Sequence, residues 1–495
     1  MSTLYSSHIF MFPFRFDWNE KGFENEFVFY REKTISERLN FRPESFEGWK
    51  LEPFDLQEHP ELYNEYAYFY DYARDAIYNI KGDPYPISYY YEKETDLTNA
   101  TYMIHIKQYG KSYTYALNLV GLSLRVFDSG VAILSLELEN RSYDDFRDIL
   151  RINDFGRRIY PQYIKDKSTD ETKNSFLADS ISIKTSTIDV TENFDFKPSD
   201  DIVIGEHIMK LLGESFSQSK MEAEKFFIQP ILDDRMFVLS WCQNSELSKE
   251  LIDEKYIEND EWYQYVFVDN NEKTVFSPKM QEKLIKNATY DRWMNYKYNG
   301  QCALTLYGVC RYSFVCLSTS DFPKMHMHTM YFQMVTLLLA IRASILRFSD
   351  EIAAVASKKE IDRLETLYEK YLTFYNRLYF KEVTHQDQGI ELYDMARKQM
   401  RIDEHIKKLD NKFTKLFAFS NLQAEKESGE KMDHLTMLGT VFLPPSIIIA
   451  LLSMGIFDYN KSVMSLVIGV GAAVLSAYLG YHYVKHLNIK DTNEK

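Results

Sequence analysis

Residues 435–457 read LTMLGTVFLPPSIIIALLSMGIF, and none of these 23 side chains carries a charge. An α-helix of that length extends for roughly 34 Å, which is enough to cross a hydrocarbon core of about 30 Å. The polar sequence DYNKS follows at 458–462, and the next 22 residues, 463–484, contain no acidic or basic residue except His482. The pattern predicts two transmembrane helices, 435–457 and 463–484, joined by a short outer loop.

The lysines around this segment predict its orientation. Three lysines precede the first span and three follow the second, whereas the loop contains only Lys461. Because positive charge is retained on the cytoplasmic side, we expect a multi-pass protein of the inner membrane with both termini, and a tail at 485–495, in the cytoplasm. The six flanking lysines are Lys415, Lys426, Lys431, Lys485, Lys490 and Lys495.

Small residues and two prolines mark one face of the first span. Positions three or four apart share one side of a helix, and small residues there let helices approach closely. Pro444 and Pro445 lack backbone N–H groups, a defect tolerated in a membrane only where protein or water satisfies the freed carbonyls. We therefore expect a homo-oligomer whose central pore is lined by Met432, Leu435, Gly439, Leu443, Ser446, Ala450, Ser453, Met454 and Gly455.

The residues before the membrane segment have helical periodicity. Apolar residues from 392 to 416 recur at spacings of three, four or seven, which predicts one coiled-coil stalk helix continuing into the first span. Residues 334–348 and 361–379 predict two more helices, of which the first contains two arginines and is too short to span a bilayer. We expect residues 326–434 to form a helical bundle.

Residues 1–325 predict a cytosolic α/β sensor domain. Alternating apolar residues predict strands, and residues 142–155 predict a helix. Residues 165–200 are rich in Ser, Thr, Asp, Glu and Lys, and we expect a mobile insertion there. A first strand with alternating faces is predicted within residues 1–18. The other predicted strands are 101–107, 112–120, 123–127, 131–138, 236–242, 262–268 and strands within 302–317.

Composition and motifs argue against several functions. The net charge of −15 argues against binding DNA or RNA, which requires a basic face. The chain has no Walker loop, nucleophile elbow, Rossmann glycine fingerprint or H-E-x-x-H motif, so we expect no enzyme activity. His326 and His328 are two residues apart at a predicted helix start and would point to different faces. We therefore interpret them as structural rather than metal-binding.

Four arginines are the candidate ligand-binding residues. Arg157 and Arg158 follow a glycine at a predicted helix end, and guanidinium groups suit phosphate. Arg292 beside Trp293 and Arg311 beside Tyr312 could clamp an adenine and its phosphate. The alternative is that each arginine makes an ordinary ion pair with one of the many carboxylates.

The membrane segment resembles the CorA family of magnesium channels. The long helix entering through LTMLGTVFLPPS and the second span near the C-terminus are similar to that family over about residues 325–485. The resemblance implies a homopentamer whose first span lines the pore, with Met432, Leu435, Leu443 and Ser446 at pore-facing positions. The implied fold is an α/β cytosolic domain, a helical stalk and two C-terminal transmembrane helices.

The family's Gly-Met-Asn signature is altered in this chain. Ser453-Met454-Gly455 stands in its place, so the ring of asparagine amides that faces a hydrated divalent ion is replaced by backbone carbonyls. Asp458 could form an outer acidic ring that binds a cation, together with Asn460, and the alternative is a solvated loop. No cofactor is expected to be required, and Mg²⁺ or another divalent cation remains a candidate ligand or permeant ion.

The enlarged cytosolic domain, the opening HIFMFPFRFDW and the altered signature resemble the CorA-like proteins that accompany type III CRISPR systems. That resemblance implies an antiviral membrane effector opened by a nucleotide second messenger such as SAM-AMP. Two other interpretations stay open. One is a divergent magnesium transporter gated by cytosolic metal, and the other is a membrane-tethered enzyme acting on a nucleotide, which no catalytic motif supports.

Overall fold

The computed structural model describes residues 3–18, 46–83, 86–159, 177–194, 204–219, 226–270, 273–298, 301–358 and 362–453, and the positions 470–471, 474–475, 478 and 481–482. The chain divides into two units, Met1–Asp410 and Asn411–Lys495. The first unit therefore includes the helices up to residue 410 together with the predicted sensor domain, so this division differs from the predicted boundary at 325/326.

Within the described residues, fourteen strands form one sheet in the first unit. They are β1 Ser6–Trp18, β2 Trp49–Leu51, β3 Ser88–Lys93, β4 Thr101–Gln108, β5 Lys111–Phe127, β6 Val131–Asn140, β7 Ser180–Lys184, β8 Asp189–Asn193, β9 Phe216–Ser217, β10 Phe226–Pro230, β11 Phe237–Gln243, β12 Thr289–Tyr298, β13 Gln301–Val309 and β14 Ser313–Ser318.

The main path through the sheet runs β12-β13-β14-β11-β1-β6-β5-β4-β7-β8. Strand β1 lies in the middle, antiparallel to β6 along one edge and to β11 and then β10 along the other. The pair β11–β14 is parallel, whereas most neighbouring strands are antiparallel. Strand β3 joins the C-terminal half of β5, and β2 joins β3.

Both faces of β1 are covered by protein. Phe10, Phe12 and Phe14 belong to one core cluster, and the intervening Ile9 and Met11 are also buried. Because successive side chains of a strand point to opposite faces, this pattern requires a layer on each side of the sheet. The first strand predicted within residues 1–18 is thus confirmed as β1, Ser6–Trp18, and it is a central strand.

Twelve helices are present in the described residues. They are α1 Tyr63–Ala67, α2 Asp71–Ile77, α3 Phe146–Gly156, α4 Glu206–Leu212, α5 Ser245–Glu250, α6 Asp260–Phe267, α7 Pro278–Ala288, α8 Phe322–His328, α9 Met330–Lys358, α10 Asp362–Arg377, α11 Asp387–Gln399 and α12 Ile402–Ser453.

Helix α9 packs against β1 and β6. The partly buried Arg347 on this helix donates to the carbonyl oxygens of Phe16 and Gly130 and pairs with Asp17 at 2.7 Å, which attaches the helix to the end of β1. By length and composition, Phe322–Ala356 is the one described stretch that could cross a membrane, but 78% of its apolar window is buried in the protein. It is therefore interpreted as a core helix, as the sequence predicts for 334–348.

The stalk differs from the prediction at its start. The predicted single helix from 392 is two helices, α11 and α12, separated at Met400 and Arg401. Arg401 has φ of 56°, in the left-handed region that interrupts a right-handed helix. From Ile402 onward, α12 continues through Pro444 and Pro445 to Ser453 without a break.

Two predicted features of the sheet were wrong. Residues 112–120 and 123–127 are one strand, β5, in which a register shift between Leu119 and Gly121 lets the strand change partner from β4 to β3. Residues 180–193, predicted as part of a mobile insertion, form the hairpin β7–β8 on the edge of β4. The remaining parts of that insertion, 165–176 and 195–200, lie outside the described residues.

The predicted strand at 262–268 is wrong because these residues form helix α6. The Asn259 side chain accepts a hydrogen bond from the Trp262 N–H at 2.8 Å and caps the helix. The buried aromatic residues that suggested a strand occur at 262, 263 and 265, a spacing that also fits one buried face of a helix. The strands predicted at 236–242 and within 302–317 are confirmed as β11 and the hairpin β13–β14.

Much of the predicted membrane hairpin lies outside the described residues. Met454, Gly455, Asp458, the loop 458–462, most of 463–484 and the tail 485–495 are in this group. The described positions between 470 and 482 are helical.

Buried histidines predict an acid-sensitive fold. His8 donates to the Asn153 Oδ1 atom at 2.7 Å, and burial lowers its pKa from 6.5 to about 4. Burial likewise lowers the pKa of His207 to about 4. As the pH falls, these histidines are protonated in the unfolded chain at a higher pH than in the folded chain. The contribution of the neutral histidines to folding stability is therefore complete above pH 6.5 and is lost as the pH falls toward 4.

We expect the free energy of unfolding of the full-length protein in detergent to decrease by several kcal/mol from pH 7 to pH 4.5. His8→Asn should flatten this dependence, because asparagine keeps a hydrogen-bond donor but does not titrate. The matched control is His59→Asn, since His59 is exposed. Urea unfolding at several pH values measures the slope, and an unchanged slope in His8→Asn would contradict the argument.

Candidate functional site

Arg157 and Arg158 are buried where α3 ends, and each is only 2% exposed. The Arg157 Nη2 atom donates to the Val268 carbonyl oxygen at 3.1 Å and lies 3.5 Å from Asp154. The Arg158 Nη1 atom donates to Asp234 Oδ2 at 2.7 Å. Neither guanidinium group is therefore available to a ligand in solution. Both arginines instead make ordinary ion pairs with carboxylates, which is the alternative that the sequence left open.

Main-chain hydrogen bonds attach this pair of arginines to the segment before β11. The Met236 N–H donates to the Arg157 carbonyl oxygen at 2.7 Å, and the Ile159 N–H donates to the Asp234 carbonyl oxygen at 3.1 Å. These bonds place the carboxylates of Asp233 and Asp234, and the guanidinium of Arg235, beside the end of α3.

Asp234 is shared between two arginines. Its Oδ2 accepts from Arg158, and its Oδ1 lies 3.3 Å from Arg235 Nε. Burial, together with the neighbouring Asp233, raises the pKa of Asp234 to about 6, and burial lowers the pKa of Arg158 to about 10. Both groups consequently carry their charges at neutral pH. The network supports one wall of an adjacent cleft.

The cleft lies between the start of β11, the β13–β14 turn and helix α9. It is shallow and partly open to solvent. The Val238 N–H donates to the Tyr312 carbonyl oxygen at 3.0 Å and joins the turn to β11. The lining residues are Pro13, Leu232, Asp233, Arg235, Met236, Phe237, Arg311, Tyr312 and Arg342.

Positive charge dominates this cleft although the whole chain is acidic. Three arginines and one aspartate line it, which leaves a formal charge of +2. Arg342 Nη1 donates to the Arg311 carbonyl oxygen at 3.0 Å, and burial followed by the charge of Arg311 lowers the pKa of Arg342 to about 10. Among the described residues, the Arg311 guanidinium has no hydrogen bond or ion pair. The arrangement suits an anion.

Tyr312 adds an aromatic surface to the charged cleft. Its side chain is 39% exposed, and the Arg235 guanidinium carbon lies 5.9 Å from its ring centre. Arg235 is also 3.7 Å from Asp233, so its charge is partly neutralised. Arg311 and Tyr312 both line this cleft.

Arg292 has a different role from the one predicted for it. It pairs with Glu391 of α11 at 2.9 Å and lies 3.9 Å from Asp387. Trp293 Nε1 donates to Gln388 Oε1 at 2.6 Å. These contacts attach β12 to α11, as the ion-pairing alternative predicts.

The two histidines of α8 have separate partners. His328 contacts Ser7 Oγ at 2.9 Å and Glu137 at 3.4 Å, whereas the His326 ring packs 4.9 Å from the ring of Phe322. In the described part of the chain, no three His, Cys, Asp or Glu residues form a group that could hold a metal ion.

Sequence reasoning missed Arg235, Arg342 and Asp233. Arg342 lies in the apolar sequence MVTLLLAIRASILRF and was assigned only to helix packing. A charged residue in an otherwise buried helix is itself a signal, because burying an unpaired charge is unfavourable. Arg235 and Asp233 have no comparable signal, since their position depends on the sheet.

Comparison with known proteins identifies no family. No family model matches the chain, and no curated protein matches it in sequence. Among solved structures, the chain is similar to that described as the structure of the full-length CmaX protein, with 13% identity and a TM-score of 0.21. The match covers 50% of this chain and 89% of that chain. These values establish neither a shared fold nor a shared function.

Removing the shared carboxylate should destabilise the first unit. We expect Asp234→Asn to lower the free energy of unfolding by about 3–5 kcal/mol, because it removes the carboxylate that pairs with the buried Arg158 at 2.7 Å. The control is Glu261→Gln, which removes the partner of the exposed Arg147 and should cost about 1 kcal/mol or less. Chemical unfolding of the detergent-purified chain measures both, and equal losses would contradict the argument.

Proposed function

We propose that this protein is a CorA-like, ligand-gated ion channel and not an enzyme. The observation that carries the proposal is helix α12, which is unbroken over Ile402–Ser453. Its first turns belong to the unit that contains the cleft, and its last 19 residues, from Leu435, carry no charge. One continuous helix thus connects the unit that contains the cleft with the uncharged stretch.

The proline pair supports an oligomeric pore. In a continuous helix, Pro444 and Pro445 cannot donate to the carbonyl oxygens of Thr440 and Val441. Lipid cannot satisfy these oxygens, and each unsatisfied group in hydrocarbon costs several kcal/mol. Water in a pore, or a neighbouring subunit, can satisfy them. We propose a homopentamer, as the CorA resemblance implies, with the 435–457 helices around the axis.

Exposed apolar residues support a membrane location. In the segment 463–484, Val470, Val474, Leu475 and Tyr478 are each more than half exposed. Surfaces of this kind are unfavourable in water and suit lipid or a partner subunit. Together with the flanking lysines, they favour the inner membrane with both termini in the cytoplasm.

Side chains of neighbouring segments hold the first turn of α12. Tyr379 of the segment after α10 donates to Asp403 at 2.8 Å, and Arg397 of α11 pairs with the same carboxylate. These bonds attach the start of α12 to the first unit, which also contains the cleft. Attachment of the helix to this unit supports gating by a ligand that binds there.

The ligand and role that we propose follow the resemblance to the type III CRISPR group. In that role, a nucleotide second messenger such as SAM-AMP opens the channel during antiviral defence. A divergent magnesium transporter gated by cytosolic metal is the alternative. In the alternative, Asp458 and acidic residues of the soluble unit would contact the ion.

Flux through reconstituted protein distinguishes the two functions. We expect liposomes containing the full-length protein to release ions at least tenfold faster with SAM-AMP than without it, and to be little affected by magnesium alone. Fluorescent indicators for monovalent and divalent cations measure the release, and empty liposomes are the control. Magnesium uptake that ignores the nucleotide would instead establish the transporter.

Substitutions on opposite faces of the first span test the pore. We expect Gly439→Phe to reduce flux at least tenfold, because a large side chain would narrow the pore axis. Val441→Phe is the matched control, since two residues correspond to a rotation of about 200° around the helix. It should retain most of the flux. Equal flux in both variants would show that position 439 does not face the pore.

A further inference from the structure

Two guanidinium groups face the same cleft without a carboxylate that neutralises both. Arg311 has no hydrogen bond or ion pair from its guanidinium among the described residues, and Arg342 bonds only to the carbonyl oxygen of Arg311. Asp233, the lining carboxylate, lies 3.7 Å from Arg235 and accepts the Asp234 N–H at 2.8 Å. The negative charge of Asp233 is thus already engaged by Arg235 and by a main-chain N–H group.

This arrangement is electrostatically unfavourable when the cleft holds only water. The positive charge of Arg311 disfavours the charged form of Arg342, and partial burial strengthens this repulsion because the surroundings screen less than bulk water. The chain contains 73 acidic residues, and neutralising partners are therefore abundant. An anion bound between the two guanidinium groups would convert this repulsion into two charge-assisted attractions.

Two other arginines of the unit do not have this property. Arg347, which is partly buried, is neutralised by Asp17 and Glu351 at 2.7 Å each. Arg125 has no carboxylate partner in the described part of the chain, but it donates to the Ile77 carbonyl oxygen and to Gln333 and lies over the Tyr90 ring. The two arginines of the cleft are distinguished because they face open space.

We propose that the cleft binds the phosphate group of a nucleotide, with Arg311 and Arg342 donating N–H hydrogen bonds to the phosphate oxygens. The exposed ring of Tyr312 offers a stacking surface for the base, and Arg235 holds the wall through Asp233 and Asp234. This assignment rests on the proposed ligand-gated function and specifies its binding site. It differs from the site predicted at Arg157, Arg158 and Arg292, which are occupied by protein partners.

Binding to the full-length, detergent-purified protein tests this assignment. The probes are inorganic phosphate, AMP and adenosine, followed by calorimetry and thermal unfolding. We expect AMP to bind more tightly than phosphate and adenosine to bind weakly, because phosphate contributes the charge interaction. Arg311→Gln and Arg342→Gln should each weaken AMP binding at least tenfold.

Control variants separate binding from folding. Arg147→Gln changes an exposed arginine of α3 and should bind AMP within twofold of the unmodified protein. Arg311→Gln without ligand should be at least as stable as the unmodified protein, because it removes a repelling charge and breaks no ion pair. This variant keeps the test decisive if Arg342→Gln fails to fold.

The outcomes for the site and for the channel are distinguishable. AMP binding that persists unchanged in Arg311→Gln and Arg342→Gln would overturn the site, even if nucleotide-dependent flux is observed. Loss of AMP binding in both variants would support the site, even if the unmodified protein conducts no ions and the channel proposal fails. Tight binding of phosphate with no gain from the nucleoside would overturn the nucleotide and identify a free phosphate site.

Discussion

The rest of the first unit depends on the pairing of strand β1 with neighbours on both edges and with packed layers on both faces. Its backbone is bonded to β6 along one side and to β11 and β10 along the other, so few of its polar groups remain for water to satisfy. Its aromatic residues fill one face, and α9 covers the other. Because β11 and α9 are both positioned by β1, the cleft between them is a consequence of this strand.

The distribution of arginines in an acidic protein connects the fold with its proposed function. Most buried guanidinium groups described above have a carboxylate within ion-pair distance, as Arg158 has in Asp234 and Arg347 has in Asp17. The pair Arg311 and Arg342 is an exception at the surface of a cleft. An anionic ligand would supply the missing negative charge. Its binding free energy would then include relief of the repulsion between the two arginines.

Helix α12 runs without a break from Ile402 to Ser453 and so joins residues of the first unit to the uncharged stretch that begins at Leu435. The break at Arg401 separates this helix from α11, and the bonds of Asp403 to neighbouring side chains hold its first turn.

Sequence alone determined the features that depend on local pattern. These include a first strand within residues 1–18, strands within 302–317, the helical character of residues before 435 and the two uncharged stretches. Tertiary structure decided the features that depend on contacts between distant residues. Residues 262–268 have high strand propensity but form a helix because Asn259 caps it, and 180–193 pair with β4 despite their polar composition. The sequence around Arg157 is typical of a ligand-binding residue, yet the fold buries this side chain. The fold instead brings Arg235, Arg311 and Arg342 together at one cleft. Sequence could not predict this, because the neutralisation of a charge depends on neighbours that are far apart in the chain.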